Sequence, residues 1–399
     1  MKRAVQFGAG NIGRGFMGQL FWEAGYTTCF VEYNSDLVVT LNERKQYPLR
    51  LLDAYSKQHI DLIITQIHAL TTEEVSKVTE VFSQADIIGT AVGVKSLEQI
   101  APLIAAGVKL RYQQKTPPVD MYLCENLYEA ASMLKKAVWQ CLDSETAAWA
   151  EGHLGFVGTS VARMVPAASG RFGVQDPLFV VADSYHKLAY DGPARRGKEP
   201  DILGMYAVNN FRAEVERKLF THNLGHAALA YLGYLKGYTY VHEPFDDPEL
   251  CAIFNGALDE TTEALLKRYP DDLDAREHAD IRQDVNLRFG NPLILDTVQR
   301  VARDPIRKLG PHDRLIGSAT LCLQYGIFPK HIALICGAAL CYHEAQDPDA
   351  VKLQAMIAEI GAARTLQQVS GVDAGSAFGQ EILKAYEELQ KNQRCIQSL

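Results

Sequence analysis

Within VERKLFTHNLGHAALAYLG, the residues Lys218, Asn223 and His226 stand at i, i+5 and i+8. On a regular α-helix, turning about 100° per residue, they point to roughly 0°, 140° and 80°, so all three can reach into one cleft. Their neighbours Leu219, Phe220, Leu224, Ala227, Ala228 and Leu229 are apolar. A lysine in such surroundings loses hydration, which disfavours its ammonium form and lowers its pKa from about 10.4. Lowered in this way, it can act as a general base towards an alcohol. Asn223 would hold the substrate oxygen as charge develops on it, and His226 would bond a neighbouring hydroxyl. A snorkelling lysine, a helix-capping asparagine and a satisfied core histidine account for the three residues separately, with no shared chemistry.

A second constellation opens the chain. Gly8, Gly10 and Gly13, with Ala9, Asn11 and Ile12 between them, spell GxGxxG directly after the apolar run AVQF. Gly8 permits a tight turn, Gly10 lets a pyrophosphate approach the backbone, and Gly13 lets the following helix pack on the strand. The helix N-terminus then offers free N–H donors to phosphate. Glu32 closes the next strand, 19 residues after Gly13. A carboxylate there can accept both ribose hydroxyls and repels a 2′-phosphate, which favours NAD over NADP. FAD uses a similar turn and acid, so the motif alone does not separate the two. Thr90, Val92 and Gly93 end a further strand where ligands of open α/β sheets bind, and could flank the adenosine or the nicotinamide ribose. Packing of a core strand explains those small residues equally well. Asn126, after Glu125, ends another strand and is the better cofactor or substrate contact of the pair.

These residues need a scaffold, and the first half supplies one in outline. Strand-like runs at 4–7, 27–33, 60–70, 86–92, 119–126, 153–165 and 177–185 alternate with helical ones at 13–25, 71–85 and 96–107. The rhythm predicts a largely parallel, doubly wound sheet with helices on both faces. From about Arg212 onward the chain is nearly all helix-periodic. The expected division is therefore an α/β dinucleotide-binding domain over 1–192 and a helical substrate-binding domain over 193–399.

The chain has 399 residues, 47% apolar and 22% charged, and 40 basic against 48 acidic residues give a net charge of −8. This balance, with no long Lys/Arg run, argues against nucleic acid or an anionic membrane as partner, but leaves room for a small anionic substrate. Eight scattered cysteines without a CxxC pair read as reduced thiols, and no metal site is expected. Neither a signal-peptide core nor a membrane span is visible, so a cytoplasmic location is expected. Nothing in the sequence sets the oligomeric state; a monomer is compatible with it.

The motif Lys218-x4-Asn223-x2-His226, with FGAGNIGRGF at the start, resembles the polyol-specific long-chain dehydrogenases. Further landmarks follow in order from Gly8 to Ile316: TAVG, CEN, GFV, ERKLFT-x-N-x-GH-x3-AYLG and RKL-x3-DRLI. Within that family the wording is similar to the mannitol-1-phosphate 5-dehydrogenases. The resemblance implies a Rossmann-type domain followed by a helical domain, NAD as cofactor, no metal, and interconversion of D-mannitol 1-phosphate and D-fructose 6-phosphate. It makes Lys218 the catalytic base, assisted by Asn223 and His226. Gly158, Ala162, Lys187 and Leu188 depart from the family pattern near the substrate, which leaves another polyol, polyol phosphate or hexuronate open. A catalytically silent NAD-binding regulator is the alternative of a different class. Arg307, Lys308 and Arg314 are candidates for the substrate phosphate, since guanidinium groups suit a phosphate monoester. Pairing with Asp304 and Asp313 would explain them nearly as well, and the loop 194–198 (ARRGK) is a second candidate phosphate site.

Overall fold

The computed structural model describes residues 2–166 and 172–397, with side chains as far as 391. The chain forms two compact units, Met1–Val215 and Glu216–Leu399.

In the first unit the strands are β1 (Lys2–Phe7), β2 (Tyr26–Glu32), β3 (Tyr47–Leu52), β4 (His59–Ile64), β5 (Ile67–Thr71), β6 (Ile87–Thr90), β7 (Val119–Leu123), β8 (Leu154–Val161), β9 (Val180–Asp183), β10 (Leu188–Asp191) and β11 (Met205–Val208). Between them run α1 (Gly18–Glu23), α2 (Ser35–Arg44), α3 (Val75–Ser83), α4 (Leu97–Gln114), α5 (Ala130–Trp139) and α6 (Ser144–His153). Eight strands join in the order β11-β10-β8-β7-β6-β1-β2-β5. All neighbours are parallel except β8 and β10. Strand alternation divides the core. Val5 and Phe7 pack with Val78, Phe82, Ile104 and Leu134 on one face. Ala4 packs with Phe16, Met17 and Leu20 on the other.

The expected doubly wound architecture is present, with three local differences. The run 60–70 is two strands, because Gln66 takes φ 57° and turns the chain from β4 into β5. β4 joins β3 and β9 in a separate three-stranded sheet, so the run at 177–185 leaves the main sheet. The third difference concerns the domain limit, expected at 192/193. The compact units divide after Val215, since β11 pairs with β10 and extends the main sheet. Strands of four residues carry too little alternation to stand out from a turn-rich connector.

Helix α7 (Phe211–Lys218) leads into the second unit. That unit holds α8 (Leu224–Leu235), α9 (Pro248–Arg268), α10 (Ala275–Phe289), α11 (Val298–Ala302), α12 (Pro305–Lys308), α13 (Ile316–Gln324), α14 (Lys330–Leu340), α15 (Pro348–Ser370) and α16 (Ala377–Gln397). Helix α8 packs against α9, α11 and α14. It is apolar around most of its circumference because it is enclosed on most sides. No helix among the described residues is long and apolar enough to cross a membrane.

Candidate active site

The glycine turn lies at the point where strand order reverses. Phe7 of β1 is in register with Val31 on one side and Thr90 on the other, so Gly8 and Ala91 emerge side by side. This is where open α/β sheets bind ligands. Gly8 has φ +88°, and a Cβ on it would meet the Ala91 carbonyl oxygen at 2.5 Å. Only glycine fits there. A Cβ on Gly13 would lie 2.0 Å from the Gly8 carbonyl oxygen, whereas nothing stands within 4 Å of the Cβ position of Gly10. The turn is thus closed where it packs and open where a pyrophosphate would approach. Asn11 is exposed and Ile12 half-buried beside that opening. The chain next winds through a π-helical turn, Gly13–Met17, before α1 begins.

Two buried charges, one of them unforeseen, hold this turn. The Ala9 N–H donates to Glu32 Oε2 at 2.8 Å, while Glu32 Oε1 accepts from Tyr33 N–H and Asn34 N–H at 3.0 and 3.1 Å. Arg14 donates from Nε to the Ala9 carbonyl at 2.6 Å and from its guanidinium to the Leu178 carbonyl at 2.7 Å. A cavity of about 340 Å³ opens beside the turn, lined by Gly8, Gly10, Glu32, Thr72, Val92 and Gln99 among others. Its size and its one acidic corner suit a ribose and base. Thr90 is fully buried and donates its hydroxyl to Glu125 Oε2 at 2.8 Å; Val92 N–H donates to Oε1 at 3.0 Å. Glu125 thereby fixes the loop Thr90–Gly93, and burial pushes its pKa up despite those bonds. Gly93 has φ +84°, and Asn126 is exposed just after β7.

In the second unit, the helical run carrying Lys218, Asn223 and His226 is not regular. A π-helical turn, Leu219–Asn223, separates the end of α7 from the start of α8, with Leu224 N–H bonding the Leu219 carbonyl. The 100° arithmetic therefore does not hold across it. A π turn closes i to i+5, which swings Asn223 back towards the face of Lys218. Such turns recur at functional sites. Asn223 is buried, and its side-chain amide has no hydrogen-bond partner among the described residues. His226 places Nε2 3.2 Å from Asp296 Oδ2, and its ring stacks on Phe289 with centroids 4.8 Å apart. Asp296 is itself clamped by both guanidinium arms of Arg300. Burial opposes its charge, but the adjacent His226 ring and the Arg300 hydrogen bonds hold the carboxyl well below its usual range.

Cations gather around this turn, Arg288 among them in an ion pair with Asp284 at 3.2 Å. Burial lowers the pKa of His222 far below that of a free imidazole, and Arg288, His226, Lys218 and Arg314 add to this. His226 is lowered too, chiefly by burial, with Arg300 and Arg314 opposing its protonation. Of the basic candidates, Arg314 is buried and its Nε bonds Asp313 at 2.7 Å. Arg307 is half-exposed and bridges Asp313 at 2.9 Å and Asp304 at 3.5 Å. Lys308 is buried, and its ammonium donates to the Arg303 carbonyl. Arg288 and Asp296, both outside the quoted motifs, gave no signal in the sequence because their spacing to Lys218 is long and irregular.

Two of the departures from the family pattern, Gly158 and Leu188, have packing reasons. A Cβ on Gly158 would stand 2.5 Å from the Phe211 ring, which in turn stacks on Tyr128. Leu188 is fully buried at the start of β10, and Lys187 before it is exposed. The ARRGK loop is tied down, with Arg196 N–H and Gly197 N–H both donating to Asp120 Oδ1, at 2.6 and 2.9 Å. Seven cysteines are free thiols, and Cys395 lies outside the described side chains. Among the described residues no group of three or more His, Cys, Asp or Glu side chains could hold a metal ion.

Solved structures share this architecture. A Pseudomonas fluorescens mannitol 2-dehydrogenase, in ternary complex with NAD and D-mannitol, superposes with a TM-score of 0.76 at 18% identity, over 98% of this chain and 92% of that one. A D-sorbitol dehydrogenase in substrate-free form gives 0.81 at 17% identity, over 98% and 93%. Two family profiles divide the sequence between them: the mannitol dehydrogenase Rossmann domain over residues 2–204, and the mannitol dehydrogenase C-terminal domain over 210–390. With a dinucleotide-type turn in its α/β unit and a Lys-Asn-His run in its helical unit, the chain belongs to the mannitol dehydrogenase family of oxidoreductases.

Proposed function

We propose that the protein interconverts D-mannitol 1-phosphate and D-fructose 6-phosphate with NAD, using Lys218 as general acid and base. The open Cβ position of Gly10, the Glu32 carboxylate and the adjoining cavity suit NAD, whose nicotinamide supplies the hydride acceptor when bound. Lys218 takes the proton from the reacting hydroxyl as its hydrogen leaves as hydride, and returns it in the reverse direction. The partner-free amide of Asn223 donates to the same oxygen while it carries negative charge. The Asp296 carboxylate, 3.2 Å from His226 Nε2 though not in an aligned hydrogen bond, favours the ring proton there by its charge, which leaves Nδ1 to accept from a substrate hydroxyl.

The observation that carries the substrate class is the gathering of cations around the Lys218–His226 turn. Arg288, Lys218 and Arg314 gather around His222, and although Arg288 is paired with Asp284 and Arg314 with Asp313, this concentration of cations supports an anionic substrate over a neutral one. Arg314 pairs with Asp313 and Arg307 with Asp313 and Asp304, so these guanidinium groups would meet a phosphate monoester by exchanging a carboxylate partner for it. The test is the loss of NADH absorbance on mixing with fructose 6-phosphate, fructose and other ketoses. Preferential oxidation of NADH by fructose 6-phosphate supports the assignment, and equal rates with free fructose reject the phosphate.

A further inference from the structure

His222 has no part in the chemistry above, yet it stands four residues after Lys218 and four before His226. It sits inside the π-helical turn and is only 7% exposed. Its ring centroid lies 5.0 Å from that of Phe289 and 6.0 Å from that of His226, edge-on to the latter. The two ring nitrogens differ. Nδ1 is sealed from solvent and has no hydrogen-bond partner among the described residues. Nε2 also bonds no protein group but is not sealed, so it is the nitrogen in contact with open space.

The proton's position follows. A buried N–H without an acceptor is rarer in folded proteins than a bare acceptor, so the favoured tautomer leaves Nδ1 bare and carries the hydrogen on Nε2. The imidazolium form, which would need both nitrogens protonated, is opposed first by burial and then by Arg288 on α10, His226, Lys218 on the preceding turn and Arg314 after α12. His222 is therefore a neutral Nε2–H donor. His226 has the opposite polarity: its Nε2 lies 3.2 Å from Asp296 Oδ2 without an aligned hydrogen bond, yet the carboxylate's charge favours the proton on Nε2 and leaves Nδ1 as an acceptor. One turn of helix thus offers a donor and an acceptor from neighbouring rings, and adjacent hydroxyls of a polyol chain can satisfy both.

We propose that His222 is a substrate-specificity residue, whose Nε2–H donates to a hydroxyl oxygen of a polyhydroxy substrate while Nδ1 of His226 accepts from the hydroxyl beside it. This rests on the reading that the Lys218–His226 turn meets a polyol. A site built to bond a hydroxyl discriminates against an analogue lacking it, because the buried donor is then left unpaired.

The test compares fructose 6-phosphate with analogues each lacking one hydroxyl, in the wild type and in His222→Leu, His222→Gln and His222→Asn. The wild type should disfavour one deoxy analogue by about tenfold or more in kcat/KM. His222→Leu should erase that preference with NADH affinity and Tm unchanged. Glutamine places an amide N–H near the position of Nε2 and should restore the preference; asparagine reaches only the position of Nδ1 and should not. The Gln/Asn contrast stands even if the leucine variant does not fold, since a purely structural role would not separate the two amides by substrate hydroxyl. An active wild type indifferent to every deleted hydroxyl, or glutamine and asparagine variants that discriminate alike, overturns this inference alone. A wild type inactive on every ketose and polyol overturns it together with the function on which it rests.

Discussion

The Glu32 carboxylate accepts the Ala9 backbone N–H at 2.8 Å, so the acid that closes β2 also anchors the glycine turn after β1. With Tyr33 and Asn34 also donating, three of roughly four acceptor positions of the carboxylate are in use. The turn geometry therefore rests on this side chain, and on the reading that NAD binds here about one acceptor position remains for a ribose hydroxyl rather than two.

It follows that Glu32→Ala should do two things. Discrimination against NADPH should relax, because the charge opposing a 2′-phosphate is gone. NADH should also bind more weakly, since charge-assisted bonds are worth about 1.5–3 kcal/mol each and the turn loses its anchor. Fluorescence titration with both nucleotides reads the two effects separately. Equal affinity of the wild type for NADPH and NADH would remove Glu32 from specificity.

Lys218→Ala should leave NADH binding intact and lower turnover by about 10²–10⁴-fold, the usual cost of losing a general acid–base group. In the wild type, alcohol oxidation should fall away as pH drops and the lysine becomes protonated. A small amine should restore part of the rate in the variant. Near-normal turnover in a folded, NADH-binding Lys218→Ala would send the proton elsewhere.

The phosphate reading makes Arg314 selective in its effect. Arg314→Met should lower kcat/KM for fructose 6-phosphate by about one to two decades and change the low activity on fructose little. A matching loss on both sugars would assign Arg314 to the fold instead.

Lys308 should give the protein a distinctive response to alkali. Burial, helped by Arg314 and Arg307, lowers its ammonium to about 7, whereas in the unfolded chain it titrates near 10.4. Between about pH 7 and 10 the unfolded state binds more protons, so this residue makes stability rise with pH. Lys308→Met should flatten that rise. Identical slopes of Tm against pH in wild type and variant would show that the group titrates normally when folded.

Much of this was legible from the sequence because it depends on neighbours in the chain. GxGxxG after an apolar run specifies a tight turn through local sterics, and the alternation of strand and helix patterns gives the doubly wound sheet. Lys218, Asn223 and His226 were visible because one helical run carries all three. Their relative direction was not, because a π turn is set by how the flanking helices pack and leaves no mark on periodicity. The same holds for Arg14 closing on Ala9, for Asp296 reaching His226 across 70 positions, and for Arg288 joining the field around His222. Local sterics and periodicity act within a few residues and determined which chemistry the chain can carry. Which nitrogen is bare, which carboxylate is already spoken for and which cations face one another depend on contacts between distant segments, and those only the folded chain decided.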